Sequence, residues 1–373
     1  MADHSEAFVG IDTSKLRNSV AIAELGRKGE IRFLGEIDNT PEATRKLVAK
    51  LSGRYRKLHF CYEAGPTGYG LYRTITDLGH SCIVVAPSLI PTRPGDQVKT
   101  NRRDAEGLAR AHRAGDLTAV WVPDAQHEAI RDLVRAREAA VRDYRVKRQQ
   151  VTSFLLRHGR HFPGLKAWSK AHARWLAQQK FDNHAHYLVL QEALGGVRDA
   201  SERLTRLEAG IRELTAGWTL GPVVDAVQAM RGFEFVAAAT IVAEIGDFSR
   251  FESPRQLMAY VGLVPSEHST GDSVRRGSIT KAGNSTARRM LVECAWHYRH
   301  PARIGVAKQR KAARLPKPVV DIAWKAQTRL CARYRALTGR GKKPSVAVTA
   351  IARELAAFVW AIACEVQPAA AMQ

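Results

Sequence analysis

The feature that most constrains the fold is a series of short apolar runs in the first third of the chain, separated by turn residues or by segments with helical spacing. Strand-like runs lie at residues 7–12, 19–24, 31–37, 59–65 and 82–87. Helical spacing is found at 41–53, at about 68–78 and from about 102 onward. A meander of strands that then alternates with helices predicts an α/β domain over about residues 1–122.

The second region carries the pattern of long helices. From His127 to His158 there is no Pro or Gly, and apolar residues recur at helical spacing with dense charges between them. This pattern predicts one long helix that can form a coiled-coil arm. A second charged helix is predicted at about 195–216. The two helices can pair as an antiparallel stalk over residues 123–220 or can dimerise, and the sequence leaves both arrangements open.

The third region, residues 221–373, is predicted to be a mainly α C-terminal domain. It opens with a helix from Ala226 to Met230, a tight turn at Arg231 and Gly232, and a helix from Val236 to Ile245. This order resembles a helix-hairpin-helix element, which presents backbone amides to a DNA phosphate. Two ordinary packed helices would give the same pattern, so both interpretations stay open.

The charge balance indicates a polyanionic partner. Lys and Arg number 58 against 36 Asp and Glu, which gives a net charge of +22 and a pI near 10.2. Between Arg275 and Lys343 there are 19 Lys or Arg and two acids. The aromatic residues interleaved with them are Trp296, Tyr298, Trp324 and Tyr334. Such a stretch is typical of nucleic-acid contact, and double-stranded DNA is the expected partner.

The same sequence argues against a membrane or secreted protein. No run of 18 or more apolar residues predicts a membrane span, and the N-terminus lacks the basic-then-apolar pattern of a signal peptide. The cysteines are scattered and never form a CxxC pair, which argues against a zinc finger or a disulfide framework. They are Cys61, Cys82, Cys294, Cys331 and Cys364. A cytoplasmic, nucleoid-associated protein is therefore expected.

Carboxylates follow two of the predicted strands directly. Asp12 ends the first strand, Glu63 ends a later one, and Asp104 lies near the start of a predicted helix. Carboxylates at the carboxyl ends of neighbouring strands converge at one edge of a sheet, where a bound Mg²⁺ can offset their charge. Taken singly, each has an ordinary alternative: a turn or N-cap residue for the first two, and an ion pair with Arg102 or Arg103 for Asp104.

Five segments together resemble a known family. GIDTSK (10–15), EAGPTGYGLYR (63–73) and VKTNRRDAEGLAR (98–110) are similar to the acidic motifs of the DEDD transposases of the insertion-sequence one-ten family, relatives of the Piv invertase. AEIGDFSRFESPRQLMAYVG (243–262) and GLVPSEHSTGDSVRRGSITKAGN (262–284) are similar to the signature of its C-terminal domain. The resemblance covers nearly the whole chain in the right order.

The resemblance implies a fold and a chemistry. The N-terminal domain would have a RuvC-like, RNase H-type fold that binds Mg²⁺ through Asp12, Glu63 and Asp104. The C-terminal domain would supply a serine nucleophile and complete a composite site with an acidic domain from another subunit. The family also implies a homo-oligomer, a dimer or tetramer, and a guide RNA from the element that selects target and donor DNA.

Two positions depart from the family pattern. Asn101 stands where a third acid is typical, three residues before Asp104; its amide can offer an oxygen to a hard cation but brings no charge, and Asp96 is a conceivable substitute. The position directly before Gly271 is Thr270, with Ser269 before it. Alignment to the motif favours Thr270 as the nucleophile, although its β-methyl stiffens the side chain. Ser269 stays open as the alternative, as does a loop that only hydrogen-bonds its own backbone.

The expected nucleic-acid contacts are basic residues around these motifs. They are Arg275, Arg276, Lys281, Arg288 and Arg289, with Lys99 and Arg102 beside the acidic motif. Arginine can clamp a phosphate with two hydrogen bonds. Gly271 and Gly277 would allow close approach of the backbone, and His268 is a candidate general base or an ordinary polar surface residue.

The sequence therefore predicts a Mg²⁺-dependent transposase or site-specific recombinase. The Thr270 or Ser269 oxygen would attack a scissile phosphate and leave a covalent protein–DNA link and a free hydroxyl, which later rejoins the DNA. Storage of the phosphoester energy would remove any need for ATP, consistent with the absence of a GxxxxGK[ST] loop. The alternatives are a RuvC-like nuclease that uses water and a decayed, non-catalytic nucleic-acid-binding protein.

Overall fold

The first 122 residues form a sheet covered by helices, as the alternation of apolar runs predicts. The computed structural model describes residues 6–26, 28–91, 100–270 and 273–367. The strands are β1 (Glu6–Asp12), β2 (Arg17–Glu24), β3 (Ile31–Asp38), β4 (Lys57–Glu63) and β5 (Ser81–Val85), and the helices are α1 (Pro41–Ser52), α2 (Gly70–Asp77) and α3 (Asn101–Ala114). The sheet order is β3-β2-β1-β4-β5. The mixed α/β class of this region is confirmed.

The sheet is mixed, and its parallel half sets up the acidic edge. Strands β1, β2 and β3 pair antiparallel, whereas β1 with β4 and β4 with β5 pair parallel. One face carries Val9 and Ile11, which pack in a core with residues of α1 and α2. The alternate residues, such as Phe8 and Cys61, face α3. This alternation is the period of two that a strand imposes.

Residues 123–373 form a second compact unit that is almost entirely helical. Its helices are α4 (Ala125–Arg157), α5 (Lys170–Ala177), α6 (His184–Ala216), α7 (Gly221–Val227), α8 (Phe235–Ile245), α9 (Pro254–Tyr260), α10 (Ser285–Ala295), α11 (Val306–Ala312), α12 (Lys317–Gly339) and α13 (Pro344–Val366). A two-stranded hairpin, β6 (Pro265–Glu267) and β7 (Arg276–Ile279), lies between α9 and α10.

Helices α4 and α6 pack antiparallel along their length. Arg137 pairs with Glu208, and Asp143 pairs with Arg203, so residue numbers rise on one helix as they fall on the other. Ile130 and Val134 of α4 belong to the main core of the unit. The structure thus selects the antiparallel pairing of the two arrangements that the sequence left open. A separate stalk domain over 123–220 and a coiled coil in the strict sense stay predictions.

Two expectations for the helical region need correction. Helix α6 starts at His184 rather than near residue 195, and it runs through Gly195 and Gly196. The helix expected at Ala226–Met230 is Gly221–Val227, because Pro222 takes the first-turn position that its fixed φ favours.

Helix α13 bears on the expectation that no segment could span a membrane. Its length and composition alone would allow it to cross one. Half of its most apolar window is buried within the unit, and Ile351, Leu355 and Val359 lie in the main core. Its apolar character is therefore that of a core helix. The five cysteines are all free, as expected from their spacing.

Candidate active site

The acidic residues of the first unit gather at one face and one edge of the sheet. Because Ile11 pairs with Tyr62 in the parallel register, Asp12 and Glu63 are neighbours at the carboxyl ends of β1 and β4. Both lie on the face that packs against α3, two residues beyond Gly10 and Cys61 respectively. Adjacent strands are about 4.8 Å apart, so the two carboxylates can reach a common ligand.

Helix α3 brings Asp104 and Asn101 to the same edge. The C-terminal turn of α3 lies at the start of the strands, where His112 contacts Phe8 and His59. The N-terminal turn, with Asn101 and Asp104, therefore lies toward the strand ends that carry the other acids. Thr100 caps the helix by accepting a hydrogen bond from Arg103 N at 3.3 Å. Asn101 and Asp104 are therefore on the same side of the sheet as Asp12 and Glu63, at its carboxyl edge.

A glycine allows α3 to lie this close to the sheet. A Cβ on Gly10 would meet the carbonyl oxygen of Ala105 and the amide nitrogen of Ala109. The loops after the two strands are also tied together, since Thr67 Oγ1 donates a hydrogen bond to Thr13 Oγ1 at 3.2 Å. The GIDTSK and EAGPTGYGLYR segments therefore build one edge rather than two separate loops.

The donor set at this edge is one of hard oxygens. Carboxylate and amide oxygens suit a divalent cation such as Mg²⁺, which is commonly held by one or two carboxylates with water and substrate phosphate. Within the described ranges, no group of three or more His, Cys, Asp or Glu side chains is arranged to hold a metal ion. The pair Asp12 and Glu63 is thus the part of the expected metal site that the strand register itself brings together. Lys99 and Asp96 lie outside the described residues.

The candidate hydroxyls of the second unit lie on the β6–β7 hairpin. Glu267 pairs with Arg276, His268 N donates to Arg275 O at 2.9 Å, and Thr270 and Ser273 exchange two backbone hydrogen bonds at 3.1 Å. Gly271 lies outside the described residues. Both candidate hydroxyls are exposed on a short hairpin whose pairing has a register irregularity between Pro265 and Glu267.

The hairpin gives Ser269 a carboxylate partner. Its hydroxyl donates to Glu267 Oε1 at 2.8 Å, and it accepts a hydrogen bond from Arg275 N at 3.3 Å. Arg276 Nε donates to the other carboxylate oxygen at 3.3 Å. The hydrogen bond from Ser269 and then that from Arg276 lower the pKa of Glu267 below its ordinary value. A hydroxyl, a carboxylate that accepts its hydrogen bond and an arginine that holds the carboxylate thus occur in one hairpin. Sequence reasoning missed Glu267, although its position two residues before Ser269 in a strand was a usable signal.

The base of the hairpin is fixed by close backbone packing. Gly262 and Gly283 have φ of +65°, and a Cβ on either would meet backbone atoms of the other arm. Arg288 Nη1 donates to the carbonyl oxygens of Val261 and Ala282 at 3.0 and 2.8 Å. A Cβ on Gly277 would meet Ser266 Oγ, and the close approach of nucleic acid to Gly277 stays a prediction.

The expected phosphate-binding residues fall into two groups. Arg275, Arg276 and Lys281 are exposed on the hairpin or at its base. The others already have partners within the protein: Arg288 in the carbonyl contacts above, Arg289 with Glu138 and Glu293, and Arg102 with Glu106 and the ring of Phe33. Arg276 is also paired, with Glu267 at 3.3 Å, so Arg275 and Lys281 are the better placed for a phosphate.

A buried polar link fastens the helix that follows the hairpin. Glu244 on α8 is 3% exposed. Asn284 caps α10 through Ala287 N at 2.9 Å and donates from Nδ2 to Glu244 Oε2 at 2.7 Å. Both residues lie within the segments that carried the family resemblance.

Comparison with known proteins identifies the family of the chain. The model described as "Transposase IS116/IS110/IS902 family" matches residues 224–308, and a DEDD-type IS110 transposase model matches residues 9–159. The transposase y4qE of Sinorhizobium fredii is 55% identical over 98% of this chain and 90% of its own.

More distant relatives carry similar descriptions. The transposase for insertion sequence element IS1533 of Leptospira borgpetersenii is 29% identical over 91% of this chain and 98% of its own length. A family 20 transposase of Pseudomonas aeruginosa is 28% identical over 66% of this chain and 74% of its own. The chain belongs to the IS110/IS116/IS902 family of insertion-sequence transposases and is a DNA transposase.

Proposed function

We propose that this transposase cuts and rejoins DNA through a covalent protein–DNA intermediate, with Ser269 as the attacking hydroxyl. The observation that carries the proposal is the 2.8 Å hydrogen bond from Ser269 Oγ to Glu267. A carboxylate at this distance can take the hydroxyl proton as the oxygen attacks phosphorus. Thr270, which alignment to the motif favours, exchanges backbone hydrogen bonds with Ser273, and within the described part of the chain its hydroxyl has no carboxylate partner.

The proposed reaction balances without an energy source. The Ser269 oxygen forms a bond to the scissile phosphorus, its proton goes to Glu267, and the DNA oxygen that leaves takes a proton from water. Arg275 and Arg276 bind the phosphate oxygens. A DNA hydroxyl then attacks the phosphoserine ester and restores the Ser269 hydroxyl.

We propose Mg²⁺ as the metal, held by Asp12 and Glu63 with Asp104 and the Asn101 amide completing the site. When bound, it supplies positive charge that polarises a phosphate oxygen. The placement of Asp12 and Glu63 at the carboxyl ends of β1 and β4 supports the RuvC-like assignment, and the relation to the Piv invertase is proposed from the sequence resemblance alone. The role of these residues is to present their side-chain oxygens as metal ligands at the carboxyl edge of the sheet.

Covalent trapping tests the proposal. Purified protein, Mg²⁺, any co-purifying RNA and labelled DNA spanning the element's junction are incubated and separated under denaturing conditions. A protein-linked band is expected for the wild type and for Ser273→Ala, an exposed hydroxyl of the same hairpin. It should be absent from Ser269→Ala and Asp12→Asn. Loss of the band in Thr270→Val, with the band retained in Ser269→Ala, would make Thr270 the nucleophile. DNA that is still cleaved to free ends in both Ser269→Ala and Thr270→Val would indicate a nuclease that uses water.

We also propose a homo-oligomer that assembles through the α4–α6 hairpin. Exposed apolar side chains lie along it, including Val146, Leu156, Leu188 and Leu214, and exposed apolar patches mark contact surfaces. Light scattering of the wild type and of Val146→Lys with Leu188→Lys tests this, and an unchanged mass would oppose it. The guide RNA is proposed from the family resemblance, and RNase treatment should lower DNA selection but not nonspecific DNA binding.

A further inference from the structure

A cavity of about 280 Å³ opens in the second unit, remote in sequence from the hairpin residues used above. It lies between the turn that joins α7 to α8, the segment that leads into α11, and one face of α12. Small and apolar residues such as Ala229, Val320 and Ala323 form part of its wall. Pockets for drug-sized ligands start near 300 Å³, so this volume suits one small planar group.

One acceptor in the wall has no hydrogen-bond partner among the described residues. Gln327 is 5% exposed and lines the cavity. Its Nε2 donates to Arg303 O at 2.6 Å, which fixes the amide orientation because a carbonyl only accepts. The amide oxygen keeps some solvent exposure and makes no hydrogen bond within the described part of the chain, so a ligand in the cavity can donate to it.

An aromatic side chain and a cation lie beside this acceptor. Trp324 on α12 is 42% exposed and borders the cavity. The Arg303 side chain also lines it and has no ion pair among the described residues. A flat apolar surface, an acceptor and a cation are the groups that bind a nucleobase and its phosphate.

The charged side chains of Lys308 and Glu234 beside the cavity already have partners within the protein. Lys308 Nζ is bound to the carbonyl oxygens of Gln228, Met230 and Phe233 at 2.7–2.8 Å. Glu234, on the cavity wall, is paired with Lys311 at 2.9 Å. Its carboxylate is thus offset, and the free charge that remains at the rim is positive.

We infer that this cavity binds one unstacked nucleotide, with its base on Trp324, a base N–H donating to Gln327 Oε1, and its phosphate at Arg303. The site would hold a base that leaves the duplex or belongs to a single strand. This inference does not rest on the hydroxyl chemistry proposed above, and its test needs no cleavage.

The experiment compares two probes with the full-length protein. One is a 20-base-pair DNA duplex with a single extrahelical thymine, and the other is the same duplex fully paired. Stacking of one base is expected to make the bulged duplex bind about tenfold tighter. Trp324→Ala and Arg303→Ala should bring the ratio close to one while paired-duplex affinity stays within about twofold, and Trp324→Phe should retain part of the preference.

A neighbouring tryptophan provides the control. Trp296 is 36% exposed and does not line the cavity, so Trp296→Ala should keep the wild-type ratio. A wild-type ratio of one, or equal loss in Trp296→Ala and Trp324→Ala, would overturn the inference. An RNA duplex with a single uridine bulge, compared with the same RNA fully paired, distinguishes the source of the nucleotide. A preference for the bulge that is found only in DNA or only in RNA assigns the cavity to that nucleic acid.

Discussion

Arg135 and Glu244 form a bidentate ion pair that joins helix α4 to helix α8. Arg135 Nε and Nη2 donate to the two carboxylate oxygens at 2.8 and 2.9 Å, and Asn284 adds a third hydrogen bond at 2.7 Å. The Glu244 side chain is 1% exposed, whereas that of Arg135 is 52% exposed. The carboxylate therefore depends on its partners, and helix α10, which follows the β6–β7 hairpin, is anchored to the same group.

Removal of Arg135 should destabilise the protein strongly. In Arg135→Met the buried carboxylate keeps the Asn284 hydrogen bond and the charge of Arg131, and loss of one partner of a buried pair costs about 3 kcal/mol. The measurement is the free energy of unfolding of the second unit's transition in urea. Arg203→Met is the control, since its pair with Asp143 is more than half exposed on both sides and should change stability by less than about 1 kcal/mol. Equal losses of unfolding free energy in Arg135→Met and Arg203→Met would contradict the conclusion that Glu244 depends on Arg135.

The difference in unfolding free energy between the wild type and Arg135→Met should depend on pH, and the pKa of Glu244 sets this dependence. Burial acts to raise it, but the hydrogen bonds from Arg135 and Asn284 and the Arg135 charge bring it below its ordinary value. The contribution is present above the unfolded-state pKa of about 4.3 and is lost as pH falls through the folded-state pKa. In Arg135→Met, burial should dominate and raise the pKa. The gap in unfolding free energy between wild type and variant should shrink from pH 7 to pH 4; a constant gap would refute this.

Gly10→Ala should separate α3 from β1. The added Cβ meets backbone atoms of Ala105 and Ala109, which cannot move as a flexible side chain would, and overpacking of this kind costs about 1–3 kcal/mol. Thermal unfolding measures the loss. Gly107→Ala, on the same helix with nothing within 4 Å of its Cβ, should instead stabilise by about 0.5–1 kcal/mol. Stabilisation by both changes would mean that the helix does not lie against Gly10.

Metal binding should depend on the acids at the sheet edge. Asp12→Asn and Glu63→Gln each remove one charged oxygen ligand and should weaken Mg²⁺ or Mn²⁺ binding at least tenfold by titration calorimetry. Glu106→Gln is the matched control, because that carboxylate pairs with Arg102 on the surface of α3. A similar loss in all three variants would indicate nonspecific binding of cations.

Glu267→Gln should slow formation of the covalent adduct without weakening DNA binding. Gln keeps the size of the side chain but cannot take the Ser269 proton, and loss of a general base costs about 10²–10⁴ in rate. Single-turnover trapping gives the rate, and a gel shift gives DNA affinity. Glu252→Gln, an exposed carboxylate before α9, should leave both unchanged. An unaltered rate in Glu267→Gln would remove Glu267 from the mechanism.

Local patterns were sufficient for much of the first unit. The apolar runs predicted β1 and β4, and a carboxylate at the end of each predicted that Asp12 and Glu63 meet. This worked because parallel strands place their carboxyl ends on one edge. The α6 helix was harder: Gly195 and Gly196 suggest a boundary, yet the helix continues because Gly196 packs against the Lys147 side chain of α4. Packing outweighed local propensity there.

The sequence by itself determined the α/β class of the first unit, the helical class of the second, the basic surface and the identity of the acidic residues, because these follow from periodicity and charge along the chain. Only the tertiary structure decided that Glu267 binds Ser269 and that Arg135 reaches Glu244 across 109 positions. It also decided that Trp324 and Gln327 border one cavity. Such contacts depend on how helices and strands pack, since a side chain's partner is set by distance in space rather than by separation in sequence.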